Sequence, residues 1–277
     1  MKKLFLALFA ISALVLPVNA ATTWVAADRV SVVGKQIVSK NSLPATITFK
    51  VVNGATDNST AATTKVIQVS STDLTYTGND NEVAYVVAHE LGNVINDSLG
   101  KKKVHNMLKN AVMSNVSSDS VVATAINSNY ASNVETTAIA KEADIMGTDL
   151  VINAGYNPLA GIVVLTKMPG SSMEILQGKP ANSERAMNIY DYLTYNFPAK
   201  IKAGYGCNEY RAFLTYADPI VSERNANAKK LAKWKKSQEK IKANRAKQLA
   251  KYKTTGGLSS WGVTYDLLMS ITEPQAK

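Results

Sequence analysis

His89 and Glu90 form the pair of adjacent residues in this sequence with the clearest capacity for chemistry. On a helix, a histidine and the residue four positions later project from one face, about 40° apart. A His-Glu-x-x-His segment uses this geometry to offer two imidazoles to a zinc ion and a carboxylate to the attacking water. The position of the second histidine is Asn93 here. Because an amide oxygen is a poor zinc ligand compared with imidazole, the pattern is incomplete.

The elements that must position this pair are expected to be mainly helices. Asn79 or Asp80 caps a helix that carries the pair, and acidic residues occupy its first turn. Periodic apolar residues predict further helices over residues 27–39, 104–113, 118–126, 135–154, 158–168 and 182–195. Alternating apolar residues predict two strands, over 45–52 and 63–70, with a stretch rich in Asn, Gly, Asp and Ser between them. These patterns imply a small sheet among helices.

Several short motifs follow one another in a fixed order. Residues 28–30 belong to an amphipathic helix, residues 58–74 to an edge-strand region, and Asn81-Glu82-Val83-Ala84 starts the helix of the His-Glu pair. Later come Ala140-Lys141-Glu142-Ala143-Asp144 and Ala154-Gly155-Tyr156-Asn157-Pro158. In this order, from residue 25 to 195, the chain resembles metallopeptidase family forty-eight, the group of HtpX, BepA and the CAAX prenyl endopeptidase. The resemblance implies an α+β, zincin-like (gluzincin) fold, mostly helical with a small antiparallel sheet.

The same resemblance implies roles for particular residues. His89 takes the place of a zinc ligand and Glu90 that of the general base, while Asn93 and Ala140 stand where the family has its other two ligands. Lys179 stands where a histidine assists the oxyanion. Arg185 matches an arginine that faces the site. Since alanine has no donor atom, two of three zinc ligands are missing, and losing even an outer partner costs about 10 to 100-fold in metal affinity or activity.

Asp144 leaves two interpretations open. It lies four residues after Ala140 and therefore on the same helix face. In one interpretation it substitutes as a metal ligand, together with His89 and either Asn93 or His105. In the other, Asp144 bonds to His89 and the two residues only hold their helices together.

Three functions follow from these observations. The first is a catalytically degenerate peptidase homologue that binds a peptide or protein client without cutting it. The second is an active zinc metalloendopeptidase with a substituted ligand set, in which zinc is the cofactor. The third places the function in a C-terminal basic helix that contacts an anionic surface of the cell envelope.

The N-terminus predicts export. Lys2 and Lys3 precede an apolar run over residues 4–16, and Val18-Asn19-Ala20 is typical of a signal peptidase site. We expect residues 1–20 to be a signal peptide that is cleaved after Ala20, which gives a periplasmic or secreted protein. The run is shorter than the roughly 20 residues of a membrane span, and no later segment is long and apolar enough, so no transmembrane segment is expected in the mature chain. Cys207 is the only cysteine, which excludes an internal disulfide.

The positive charge of the chain is concentrated in one element. The net charge is +10, and residues 221–255 alone carry twelve Lys or Arg against two acids. We therefore expect a peptidase-like domain over residues 21–200 and a Lys-rich helical extension over 201–277. The extension is interpreted as a solvated, partly docked helix, or as a contact for lipid headgroups or a polymer with Trp234 at the interface. Nucleic acid is not expected as a partner, since charge alone carries no base readout.

Overall fold

The fold is mostly helical α+β, with one small sheet, as the sequence predicts at this coarse level. It is seen in a computed structural model that describes residues 24–41, 43, 45–58, 60–98, 140–169 and 182–254. The predicted signal peptide, the predicted helices over 104–113 and 118–126, His105, Lys179 and the tail after residue 254 lie outside the described residues.

The described elements follow one another along the chain with short connections. In chain order they are α1 (Ala26–Lys40), β1 (Thr48–Val52), α2 (Ala61–Thr64), β2 (Val66–Ser70), α3 (Ser71–Leu74), α4 (Asp80–Ser98), α5 (140–153), α6 (Ala160–Lys167), α7 (Asn182–Asn196), α8 (Pro198–Ala203), α9 (Asn208–Ala226) and α10 (Ala228–Thr254). The predicted helices that lie within the described residues agree with α1, α4, α5, α6 and α7 to within one or two residues at each described end.

The sheet is parallel, so the expectation of an antiparallel sheet is wrong. β1 and β2 are its two strands, with Thr48 beside Val66 and Val52 beside Ser70. The predicted second strand also began too early, because residues 61–64 form α2. The segment that contains α2 carries the chain back to the starting end of β1, and parallel strands require a long crossover connection of this kind.

Helix α4 forms the centre of the core. Its start is fixed as predicted, because the Asn79 side-chain oxygen accepts hydrogen bonds from the backbone amides of Asn81 and Glu82, at 3.0 and 3.2 Å. The buried carboxylate of Glu82 in turn accepts from the Gly78 amide at 2.8 Å and pairs with Lys167 of α6 at 2.7 Å. The backbone amides at the start of α4 and the Glu82 carboxylate in its first turn therefore have partners.

Apolar faces of α1, α4, α6, α7 and β2 meet in one cluster. The cluster also includes three residues of α9, namely Tyr210, Phe213 and Ala217. The extension over 201–277 was predicted to be helical without bounds for a helix in this part, where α9 is 19 residues long and continues through Pro219. The first part of the C-terminal extension thus packs on the same core as the helices before residue 200.

No helix within the described ranges has both the length and the apolar character needed to cross a membrane.

Candidate functional site

A buried carboxylate joins three helices at the centre of the site. Asp144 of α5 is completely inaccessible to solvent. Its Oδ1 accepts a hydrogen bond from the Tyr85 hydroxyl at 2.8 Å and lies 2.8 Å from Nδ1 of His89, and both partners belong to α4. Since Tyr85 and His89 are four residues apart, they lie on one face of α4 and reach the same carboxylate.

Arg185 of α7 completes this cluster. Its guanidinium donates Nε to Oδ2 of Asp144 at 2.8 Å and a terminal nitrogen to Oδ1 at 2.7 Å. The same terminal nitrogen lies 3.4 Å from the Tyr85 hydroxyl and 3.5 Å from Nδ1 of His89. The pair is bidentate, which is the geometry that gives Arg–carboxylate contacts both strength and direction.

The electrostatics of the cluster keep Asp144 charged. Burial alone would raise the pKa of its carboxyl group, but the charge and hydrogen bonds of Arg185, together with the contact to His89, outweigh burial and hold this pKa well below its usual value. Burial, and then the charge of Asp144, raise the pKa of Tyr85 well above its usual value. Tyr85 therefore stays a neutral hydrogen-bond donor and Asp144 a charged acceptor.

The hydrogen-bond partners define the tautomer of His89. Nδ1 lies 2.8 Å from the Asp144 carboxylate, which can only accept, and 3.5 Å from the Arg185 guanidinium, which can only donate. Because the carboxylate is much closer, we assign a proton to Nδ1. The side chain of His89 is 19% exposed, whereas Asp144 is fully buried, so His89 is the member of this pair that an incoming group can reach.

Glu90 faces a different part of the protein. Its side chain is buried, and its two oxygens accept hydrogen bonds from the Asn58 amide at 2.8 Å and the Thr56 hydroxyl at 3.3 Å. Asn58 also bonds both backbone groups of Gln68 in β2, at 2.7 Å to the amide and 3.1 Å to the carbonyl. The carboxylate predicted to act as general base thus anchors the loop that covers the free edge of β2.

Close approach of α4 and α5 makes the contact of His89 with Asp144 possible. A Cβ atom added at Gly92 would lie 2.7 Å from the carbonyl oxygen of Ala143, and one added at Gly147 would lie 3.0 Å from the amide of His89. A side chain at Gly92 would therefore force the two backbones apart, and one at Gly147 would meet a very tight contact. The two glycines therefore set the spacing of the helices that carry the predicted site.

The described residues do not fit a zinc site. Zinc in proteins is held by three or four imidazole, thiolate or carboxylate ligands. No three such groups converge in the described part of the chain. Asp144 is occupied by Arg185 and Tyr85, Glu90 faces Asn58, and positions 93 and 140 carry an amide and a methyl group. Of these groups, His89 is left as a single imidazole without further zinc ligands among the described residues.

Sequence reasoning missed two members of this region. Tyr85 could have been found, because it lies four residues before His89 on the same helical face. Asn58 could not, because its contact with Glu90 joins residues 32 positions apart and the sequence carries no spacing that indicates it. Of the predicted site residues, the structure brings together His89, Asp144 and Arg185 and turns Glu90 away, while Asn93 stays half-buried on α4.

The basic helix α10 is docked along one side. Trp234 packs its ring under the guanidinium of Arg224, 4.1 Å from the ring centroid, and edge-on against Tyr195 at 5.6 Å. Gln238, one turn further, is buried. These contacts hold the half-buried Trp234 against Arg224 and Tyr195 of the same chain, whereas its position at an external interface stays a prediction.

Comparison of the chain with protein-family models, with curated proteins and with solved structures finds no match.

Proposed function

We propose that this chain is an exported, zinc-peptidase-like protein that has lost its catalytic site and binds a peptide or protein segment without cleaving it. The observation that carries the proposal is the commitment of both candidate carboxylates to structural partners. Asp144 is saturated by Arg185, Tyr85 and His89, and Glu90 by Asn58 and Thr56. A general base must reach the proton that it abstracts.

The chemistry that zinc supplies to a peptidase site supports this interpretation. Without zinc, water keeps a pKa near 15.7, compared with about 7 when it is bound to the metal. Such water is a very poor nucleophile at neutral pH. Because the described donors fall short of a zinc site, no activated water is available for Glu90 to deprotonate.

The surface that would bind a peptide is the partly accessible side of α4. His89 offers a ring nitrogen there and Asn93 an amide, and these two half-buried residues lie one turn apart on the same face. Both groups can bond to the backbone of an extended peptide, which carries a donor and an acceptor at each residue. The rigid support of His89 by Asp144 limits the entropy lost on binding.

Metal content and proteolysis test the loss of catalysis. We expect the purified mature chain to contain well under one zinc per molecule and to leave casein intact. Stoichiometric zinc, together with casein cleavage that Glu90→Gln abolishes, would instead establish the alternative of an active zinc endopeptidase. The zinc content and the intact casein expected here are measured on the unmodified chain, so only the alternative requires a variant.

Peptide binding tests the proposed surface. On an array of short peptides of varied sequence, we expect the chain to select a subset of peptides and the double variant His89→Ala, Asn93→Ala to lose it. Glu90→Gln is the control, because its side chain faces Asn58 and should leave the selection unchanged. Selection that survives in the double variant, or no selection by the unmodified chain, would contradict the proposal.

A further inference from the structure

The side of α10 opposite its docked face carries a row of lysines. Lys229, Lys233, Lys236 and Lys240 follow one another at intervals of four, three and four residues, which places them on one stripe of the helix. All four are exposed. These four lysines span about 17 Å of the helix at 1.5 Å per residue.

The stripe lysines differ from the neighbouring charged residues of α10 in their ion pairing. Lys230, which lies off the stripe, forms an ion pair with Glu223, and Glu239 accepts a hydrogen bond from Tyr195. No ion pair involves the four stripe lysines among the described residues. Like charges one turn apart on a helix repel each other. A row of this kind is therefore stabilised by an external anion.

The opposite face of α10 packs against the rest of the protein, and this packing directs the row of lysines toward solvent. Leu231, Trp234, Gln238 and Ile241 are half-buried or buried, on the side of α10 that packs against α7 and α9. Arg224 stacks on Trp234 and forms an ion pair with Asp191 of α7. With the apolar side occupied in this way, the helix cannot insert that side into a membrane, and only its charges are available for contact.

We propose that the lysine stripe of α10 docks the protein electrostatically on an anionic lipid bilayer. A straight helix is a convex ridge, and such a ridge touches a flat surface along its whole length. Its charges are lysines, which act as hydrated point charges, rather than arginines with bidentate phosphate geometry. The stripe also carries no aromatic residue on which the bases of a single-stranded nucleic acid could stack.

The size of the effect follows from the number of lysines. Each lysine near an anionic leaflet strengthens membrane attachment by roughly fivefold, and this attraction falls off within a Debye length. Four lysines together therefore change vesicle partitioning by up to several hundredfold, on the order of the fourth power of that factor.

Vesicle co-sedimentation of the full mature chain is the test. The vesicles contain phosphatidylcholine with about 30% phosphatidylglycerol, in about 50 mM salt, where screening is weak. We expect binding that disappears with pure phosphatidylcholine and with high salt. Replacing the four stripe lysines by glutamine should weaken it at least tenfold. The matched control replaces four exposed lysines elsewhere, Lys35, Lys50, Lys200 and Lys202, and should stay within twofold of the unmodified chain.

Three outcomes would overturn the proposal. The first is no binding to anionic vesicles at low salt. The second is an equal loss of vesicle binding in both quadruple variants, which would mean that binding depends only on the net charge of the protein. The third is tighter binding to soluble polyphosphate than to vesicles, which would assign the stripe to a linear polyanion. Because peptide selection on α4 is measured separately, failure here leaves the proposed function standing.

Discussion

Arg185 and Asp144 form a bidentate ion pair, although 41 residues separate them in the chain. The carboxylate is completely buried, and the arginine side chain is only 15% exposed. The pair links α7 to α5, and through Tyr85 and His89 it links both to α4. A residue matched by sequence resemblance to an arginine that faces the site therefore serves here as the partner of a buried charge.

Removing Arg185 should be strongly destabilising. In Arg185→Met the charge of Asp144 would stay buried without its main partner, and breaking a buried pair from one side costs about 3–5 kcal/mol. Urea unfolding followed by circular dichroism measures this loss. Arg211→Met is the control, because Arg211 is exposed, and it should change the free energy of unfolding by less than about 0.5 kcal/mol. Similar losses in both variants would contradict the role assigned to Arg185.

The buried pair also predicts how stability depends on pH. The pKa of Asp144 is lowered in the folded protein, so in acid the unfolded chain takes up the proton first and unfolding is favoured. The stability that the charge of Asp144 contributes is thus present in full above about pH 5. It is lost as the pH falls below about 3.9, which is the ordinary pKa of an aspartic acid side chain.

Comparing the unmodified chain with Asp144→Asn checks this. The difference in free energy of unfolding between the two should be largest at neutral pH and should shrink as pH falls through and below about 4. If the difference does not change with pH, the charge of Asp144 is not what stabilises the cluster.

Local patterns were sufficient to predict most helices. The Asn79 cap, the acidic first turn and the apolar run of α4 lie within a few residues of one another, so the sequence alone locates that helix. The bounds of α9 could not be predicted, because it contains Pro219 and proline in a helix interior removes a hydrogen bond. There the packing of Tyr210 and Phe213 in the core outweighs the local signal.

Strand direction and site contacts depend on distant parts of the chain. The parallel pairing of β1 and β2 follows from the path of the connection that contains α2. The four residues of α2 carry no clear local signal for a helix. In the same way, helical spacing placed His89 and Glu90 on α4 correctly but could not show that Glu90 meets Asn58. Short-range periodicity locates residues on elements, and long-range packing decides their partners.

The spacing of α4 and α5 should be sensitive to one methyl group. Gly92→Ala would place a Cβ atom 2.7 Å from the Ala143 carbonyl oxygen, and this oxygen belongs to the backbone of α5. We expect a loss of about 1–3 kcal/mol from overpacking, with a changed chemical shift for the His89 ring as the helices separate. Gly206→Ala is the control, because nothing lies within 4 Å of a Cβ atom there. An unchanged melting temperature in Gly92→Ala would contradict the close packing.

Asn58 should protect the backbone of β2 at Gln68, and its hydrogen bond to Glu90 should hold it in place. In Asn58→Ala, the Gln68 amide loses its acceptor and the buried Glu90 carboxylate loses its closest donor, which is expected to cost about 1–3 kcal/mol. Hydrogen exchange at the Gln68 amide should accelerate, while exchange at Ile67 and Val69, which alternate toward β1, should change little. Ser71→Ala is the control, since its bond to Asn53 is exposed. If the Gln68 amide stays protected in Asn58→Ala, other groups must cover this edge, and Glu90 is then free of the structural role described for it.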